Sequence, residues 1–366
     1  VETFVYRYPL TRPVETSFGT MHDRPMVVVR LIDKNGVSGF GEIWCNFPAV
    51  GAEYRARLID SVFKPLIMSN KYINPHNATI HLTSETWVLG LQAGEHGPLA
   101  QCIAGIDTAL NDIEARKIGQ PLWKFLGGTN DKVRIYASGI NPSEAPKTAE
   151  KALDLGFHAL KLKIGFDDAA DLQNIKSISG LLGADMELMV DANQAWTVEH
   201  ARKMTQKMRN YQLAWLEEPI PVDRPEEEWE SLKKSTDIPL AGGENIFCED
   251  LYKHIISDGF LDVIQPDLAK WGGISKTSLI AREIIRVGKR YCPHFLGGGI
   301  GLLASAHVLA AVGGDGMLEV DFNENPLRTK MTYDFFDISS GVMNLGSLPG
   351  IGIEPDFSSI EEYRIL

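Results

Sequence analysis

Seven polar side chains of this 366-residue chain recur at nearly even intervals, and their types suit proton transfer beside a bound cation. Lys163, Asp191, Glu217, Glu244, Asp267, His294 and Glu319 follow one another at separations of 28, 26, 27, 23, 27 and 25 residues. Isolated surface charges have no reason to keep such a step. Asp191, Glu217 and Glu244 would repel one another in a partly dry cavity unless a cation neutralised them. An oxygen-only donor set points to magnesium, with manganese a substitute, rather than to zinc. Any one of these acids alone reads equally well as an ordinary loop salt bridge; three in successive repeats do not.

Lys161 and Lys163 are separated by one residue, so on a strand both side chains point to the same side. Mutual repulsion and a nearby cation are expected to lower a lysine from about 10.4 toward roughly 7 to 8, the range of a general base. His294 follows Pro293, and Asp267 ends the preceding run. A carboxylate beside an imidazole fixes its tautomer and raises its basicity.

The elements that must position these groups are legible as a repeat. Apolar runs at Val133–Ala137, Ala159–Ile164, Glu187–Val190, Leu213–Leu216, Ile238–Ala241, Val263–Gln265, Arg290–Pro293 and Met317–Val320 alternate with helix-like stretches. Alternating strands and helices imply a parallel sheet, and eight units predict a (β/α)8-type barrel with its chemistry at the C-terminal strand ends. A doubly wound open sheet is the alternative, but no GxGxxG follows an early strand. Residues 1–130 read as an α+β unit, with a hairpin at Met26–Ile32 and Val37–Glu42 and a helix over Gln101–Lys117. Residues 131–324 form the barrel. Residues 325–366 leave the repeat, Met331–Ile338 and Gly341–Leu345 look irregular or antiparallel, and the segment is expected to pack back on the N-terminal unit.

Composition narrows the class. The apolar fraction is 44% and the net charge −12, which opposes nucleic acid and anionic membrane and favours a small ligand. Cys45, Cys102, Cys248 and Cys292 contain no CxxC, so a reducing cytoplasm is the expected location. Neither an export signal nor a membrane span is expected.

With these motifs in hand, the chain resembles the mandelate racemase subgroup of the enolase superfamily (mandelate racemase/muconate lactonizing enzyme family). The resemblance rests on Lys161-Leu-Lys163, Asp191-Ala-Asn193, Glu217-Glu-Pro, Gly243-Glu244-Asn245 and the Asp267 and His294 pair. It implies an α/β fold: a modified (β/α)7β TIM barrel with an α+β N-terminal capping domain completed by the C-terminal segment. It implies magnesium on Asp191, Glu217 and Glu244, with Lys163 as base on one face. His294 oriented by Asp267 would serve the other face, and Glu319 would donate a hydrogen bond to a substrate carboxylate.

Members similar to this chain abstract the α-proton of a carboxylic acid through an enediolate. Dehydration of an acid sugar to a 2-keto-3-deoxy acid is the first reading, and a racemase, epimerase or lactone cycloisomerase the second. A non-catalytic sugar-acid binder would need no acid/base groups. A homo-oligomer, dimer to octamer, is also implied. The resemblance assigns specificity to two cap loops, about Val14–Arg24 and Cys45–Tyr54, where Thr16, Ser17, His22, Arg24, Asn46, Glu53 and Tyr54 suit a hydroxylated acid. Asn193, His22, Arg24 and Tyr54 are the candidate substrate contacts.

Overall fold

The central strand of the N-terminal unit faces two different cores on alternate residues, which fixes that unit against the rest of the chain. In the computed structural model, which describes all residues except 17–18, 72–73, 333–334 and 338–339, β1 (Glu2–Thr16), β2 (Gly19–Ile32) and β3 (Ser38–Ile43) form an antiparallel sheet in that order. On β2, Val27, Val29 and Leu31 join Ile43, Ile106 and Ile113 in one core. Met26 and Val28 point the other way, into the large core shared with the barrel.

The chain then runs through α1 (Gly51–Leu58), a π-helical turn (Ile59–Phe63), α2 (Lys64–Ser69), α3 (Pro75–Ala93), α4 (His96–Lys117) and the short α5 (Leu122–Phe125). Helix α4 lies so close to β3 that a Cβ on Gly41 would sit 1.9 Å from the Gly105 carbonyl oxygen. Only glycine permits that approach.

The barrel follows as β4 (Lys132–Ile140), α6 (Ala145–Asp154), β5 (Ala159–Lys163), α7 (Asp168–Ser179), β6 (Glu187–Asp191), α8 (Val198–Met208), β7 (Leu213–Glu217) and α9 (Glu226–Lys233). It continues as β8 (Leu240–Gly242), α10 (Glu249–Asp258), β9 (Val263–Ile264), α11 (Gly273–Arg286), β10 (Arg290–Tyr291), α12 (Gly299–Val312) and β11 (Met317–Asp321). All the neighbouring pairs from β4 to β10 are parallel, and β11 pairs parallel with β4. At the β10–β11 junction, Met317 N donates to Cys292 Sγ at 3.4 Å. The architecture is the expected α/β barrel with a small antiparallel sheet domain.

After α13 (Pro326–Thr332), β12 (Phe336–Asp337) and β13 (Val342–Asn344) form an antiparallel pair, and β13 adds antiparallel to β4. A 3₁₀ helix over Phe357–Tyr363 then stacks Phe357 on Phe4 and Tyr6 of β1, at 5.3 and 5.9 Å. Met331 and Thr332 are helical rather than extended, and Ile338 lies outside the described residues. Among the described residues, no helix is long and apolar enough to cross a membrane.

Three buried acids dock the N-terminal unit onto the rest. Glu42 of β3 accepts from Gly298 N (2.5 Å) and Gly301 N (2.8 Å) at the start of α12. Asp107 of α4 accepts from Ser275 N (2.8 Å) at the start of α11. Asp112 of the same helix accepts from Phe40 N and Ile351 N. Carboxylates at helix N-termini answer the unpaired N–H groups there.

Candidate active site

The floor of the site is an apolar layer to which each barrel strand contributes one side chain. Tyr136, Ala159, Met189, Trp215, Ala241, Val263, Cys292 and Met317 form a cluster of their own. Two residues further along each strand, on the same side by the period of two, stand Ser138, Lys161, Asp191, Glu217, Gly243, Gln265, His294 and Glu319. The even spacing thus has a direct cause: Asp191, Glu217, His294 and Glu319 belong to this inward layer, Lys163 and Asp267 stand one inward step nearer the mouth, and Glu244 follows Gly243. Gly243 has no side chain because φ is 138° and a Cβ would meet Gln265 N at 2.8 Å.

Lysines and carboxylates interlock across this layer. Lys161 Nζ contacts both Glu217 oxygens at 2.8 and 2.7 Å and Glu319 Oε1 at 2.7 Å. Trp215 Nε1 and Gln265 Nε2 complete the surroundings of Glu217. One step nearer the mouth, Lys163 Nζ donates to Asp191 Oδ2 and Asn193 Oδ1, both at 2.7 Å. Lys270 Nζ reaches Glu244 Oε2 at 2.6 Å and stands 5.0 Å from the Trp44 ring centroid, so a cap residue shelters it. His294 Nδ1 lies 2.8 Å from Asp267 Oδ2, and its Nε2 lies 3.0 Å from Glu244 Oε2.

These contacts set the protonation states. Burial alone would lower both strand lysines, but the carboxylates outweigh it, Glu217 first for Lys161 and Asp191 first for Lys163, and both are raised. The expected fall of a lysine toward neutrality is therefore not seen: the ammonium partners are acids at 2.7 Å, and their attraction exceeds the repulsion between the two lysines. Burial and then Asp191 push Glu217 up to about 7. Burial and Glu244 take Glu218 to about 8. For Glu244 burial is overcome by His294 and Lys270, which hold it low. His294 rises to about 9 because Glu244, Glu319 and Asp267 overcome its burial.

Glu319 departs from expectation. It accepts from Ser138 Oγ, Lys161 and Phe295 N (3.1 Å), and Lys161 and His294 hold its carboxyl low against burial. An ionised acceptor cannot donate to a substrate carboxylate, and Glu319 is absent from the cavity wall. It supports Lys161 and the His294 loop instead.

Above this layer lies a cavity of about 620 Å³ between cap and barrel. Lys163, Asn193, Glu244 and His294 line it, as does Arg24 from β2. His22 does not: its side chain is exposed, on the opposite face of β2 from Met21. Tyr54 does not either; it lies in α1 and its hydroxyl bonds to Glu95. The two expected specificity loops are also less loop-like than anticipated. Thr16 and Gly19–Arg24 belong to the β1–β2 hairpin, Ser17 and Phe18 lie outside the described residues, and Gly51–Tyr54 opens α1. Arg7 ties them together, holding Asp23 at 2.7 Å and Glu53 at 2.7 to 2.8 Å.

Sequence reasoning missed several wall residues: Gln101 of α4, Asn141, Lys270, Asp321 and Asn323. Asp321 continues the inward face of β11 after Met317 and Glu319, and the period of two could have found it; Asn141 falls out of that period, because the register of β4 shifts between Ala137 and Ile140. Gln101 could not be found that way, because its place depends on buried Arg55, whose Nε and Nη2 grip its Oε1 at 2.9 and 2.7 Å. That grip leaves the Gln101 NH2 turned toward the cavity.

Among the described residues, no group of three His, Cys, Asp or Glu side chains is gathered as a ready-made metal centre. The three carboxylates do not repel one another unopposed: Asp191, Glu217 and Glu244 each carry a lysine partner. The donors that Asp191, Glu217 and Glu244 offer are nevertheless all oxygen, as magnesium prefers, and a divalent ion beside Glu217 would favour the ionised form that burial and Asp191 disfavour.

Comparison with known proteins agrees with this architecture. Residues 1–127 match the mandelate racemase/muconate lactonizing enzyme N-terminal domain, and residues 144–359 match the enolase C-terminal domain-like family. A solved mandelate racemase/muconate lactonizing enzyme from Bordetella bronchiseptica RB50 superposes with a TM-score of 0.93 at 47% identity, covering 99% of this chain and 97% of that one. Arabinonate dehydratase of Saccharolobus solfataricus is 29% identical over 94% of this chain and 91% of its own length. D-galactarolactone cycloisomerase of Agrobacterium fabrum is 29% identical over 100% and 98%. The chain belongs to the mandelate racemase/muconate lactonizing enzyme family of the enolase superfamily, as one of its lyases or isomerases.

Proposed function

We propose that this protein removes the α-proton of an acid sugar and expels its β-hydroxyl, releasing a 2-keto-3-deoxy acid. The observation that carries the reading is that Lys163 and His294, two groups able to move protons, enter one cavity from separate strands. Lys163 leaves the end of β5, while His294 follows β10, three places away in the strand order through β4 and β11. A substrate carbon between them meets a different proton-handling group on each side.

In this reading Lys163 takes the α-proton, and Asn193, bonded to Lys163 Nζ, aims it. His294 in its protonated form gives a proton to the departing hydroxyl from Nε2, while Asp267 holds Nδ1 and stabilises the positive ring. Asp191, Glu217 and Glu244 would hold magnesium, which would stabilise negative charge developing on the substrate carboxylate and would compete with Lys163 for Asp191, the acid that keeps the lysine raised. Gln101, Asn141 and Asn323 offer hydrogen bonds to substrate hydroxyl groups, beside an apolar wall that includes Met21, Trp44, Phe47 and Phe247.

The same pair supports a second reading. If His294 returns its proton to the α-carbon, or if a lactone oxygen leaves in place of hydroxide, the product is an epimer or a cycloisomer, and the cycloisomerase relative spans the whole chain. Incubation with magnesium and a panel of acid sugars and their lactones, with semicarbazide detection of 2-keto acids, decides between them. Keto acid from an open-chain acid supports dehydration; stereoisomer without keto acid, or keto acid from the lactone alone, replaces it.

A further inference from the structure

The cavity is electrically lopsided at the end contributed by the cap. Arg24 of β2 is 2% exposed and lines the wall, and its Nη2 donates to Asp321 Oδ2. Arg328 of α13, also buried, approaches the same Oδ2 at 3.5 Å. Two guanidinium groups therefore share one carboxylate oxygen. The other oxygen of Asp321 is already committed to Asn323, through its N at 3.0 Å and its Nδ2 at 2.8 Å.

Among the described residues, the acids on neighbouring positions bond elsewhere. Asp321 is the only hydrogen-bond partner of the Arg24 guanidinium among the described residues, and its buried Nε has none. Glu324 is occupied by Tyr8 and Thr11, and Asp23 by Arg7. Arg328 reports the same excess: burial and the Arg24 charge lower its pKa against the pull of Asp321. A desolvated cation without its own counter-charge is unfavourable until an anion arrives.

We propose that Arg24 receives a second carboxylate of the substrate, so that the preferred substrate is a dicarboxylic sugar acid rather than a monocarboxylic one. This rests on the reading of the Lys163 and His294 end as the reaction centre. The two ends then have complementary charge: the acidic cluster takes a cation and the reacting carboxylate, while Arg24 takes the far one. A guanidinium with free N–H groups pairs with a carboxylate through its planar fork, which a terminal hydroxyl cannot reproduce.

The test compares six-carbon aldarates with the matching aldonates on the full chain with magnesium. A charge-assisted contact of this kind is expected to favour the diacid about tenfold to a hundredfold in kcat/KM. Arg24→Met should bring that ratio close to one by lowering diacid turnover, and Arg24→Lys should restore part of it. Should Arg24→Met fail to fold, the wild-type ratio alone decides.

Calorimetric binding of adipate against hexanoate to wild type separates this inference from the reaction assigned above. If no acid sugar reacts yet adipate binds at least tenfold more tightly, the subsite stands and the reaction does not. Equal or better turnover of aldonates, or equal binding of adipate and hexanoate, overturns the subsite.

Discussion

Asp267 Oδ2 lies 2.8 Å from His294 Nδ1, so the ring nitrogen left to meet the cavity and Glu244 is Nε2. The other oxygen of Asp267 accepts from Ala269 N and Lys270 N, which closes its own turn. One carboxylate therefore shapes the loop and orients the imidazole.

Those two tasks can be separated. Asp267→Asn keeps an oxygen for the turn and removes the charge beside Nδ1. We expect a folded protein with kcat lower by about 10²-fold or more and KM changed much less, the pattern of a misplaced acid/base group. A fall confined to KM would assign Asp267 to substrate binding instead.

Glu244 stands at the cavity wall beside Lys270 and His294 and is only partly buried, so Glu244→Gln should leave the fold intact. It should weaken magnesium binding by at least tenfold in calorimetry, and chelation should abolish wild-type turnover until magnesium is returned. Unchanged metal affinity in the variant removes Glu244 from the ligand set.

The Glu42 contact to the start of α12 carries a pH signature. Burial raises this carboxyl from 4.5 to about 7, against the backbone donors Gly301 and Gly298. A raised folded-state value means that the folded protein holds the proton more tightly. The stabilisation is thus fully present below about 4.5 and declines as pH rises through about 7, by roughly 3 kcal/mol at about 1.4 kcal/mol per unit. Denaturant titrations of wild type and Glu42→Gln from pH 4.5 to 8 should show the difference between them shifting toward the variant across that window. A difference constant with pH would mean that folding leaves the Glu42 carboxyl unshifted.

Much of this was legible in the chain, for an identifiable reason. Inward positions of parallel strands recur with the βα unit, so Lys163, Asp191, Glu217, Asp267, His294 and Glu319 announced both barrel and rim by their step. What one chain cannot display is which buried charge meets which. The carboxylates at 2.7 Å from Lys161 and Lys163 reversed the expected pKa shift, and the same contacts made Glu319 an acceptor. The wall residues from the cap suffered most. His22 and Arg24 stand two apart on β2 and so share a face, and only the docking of the cap shows that Arg24 is buried at the cavity while His22 is exposed.

The division of labour between Lys163 and His294 is tested most directly by deuterium incorporation at the α-carbon, followed by proton NMR in deuterium oxide alongside keto-acid release. Wild type with magnesium and a reactive acid sugar should release keto acid. His294→Asn should exchange the α-proton while releasing little or none, and Lys163→Ala should lose both by about 10²-fold or more. Release of keto acid by Lys163→Ala at the wild-type rate would contradict the account.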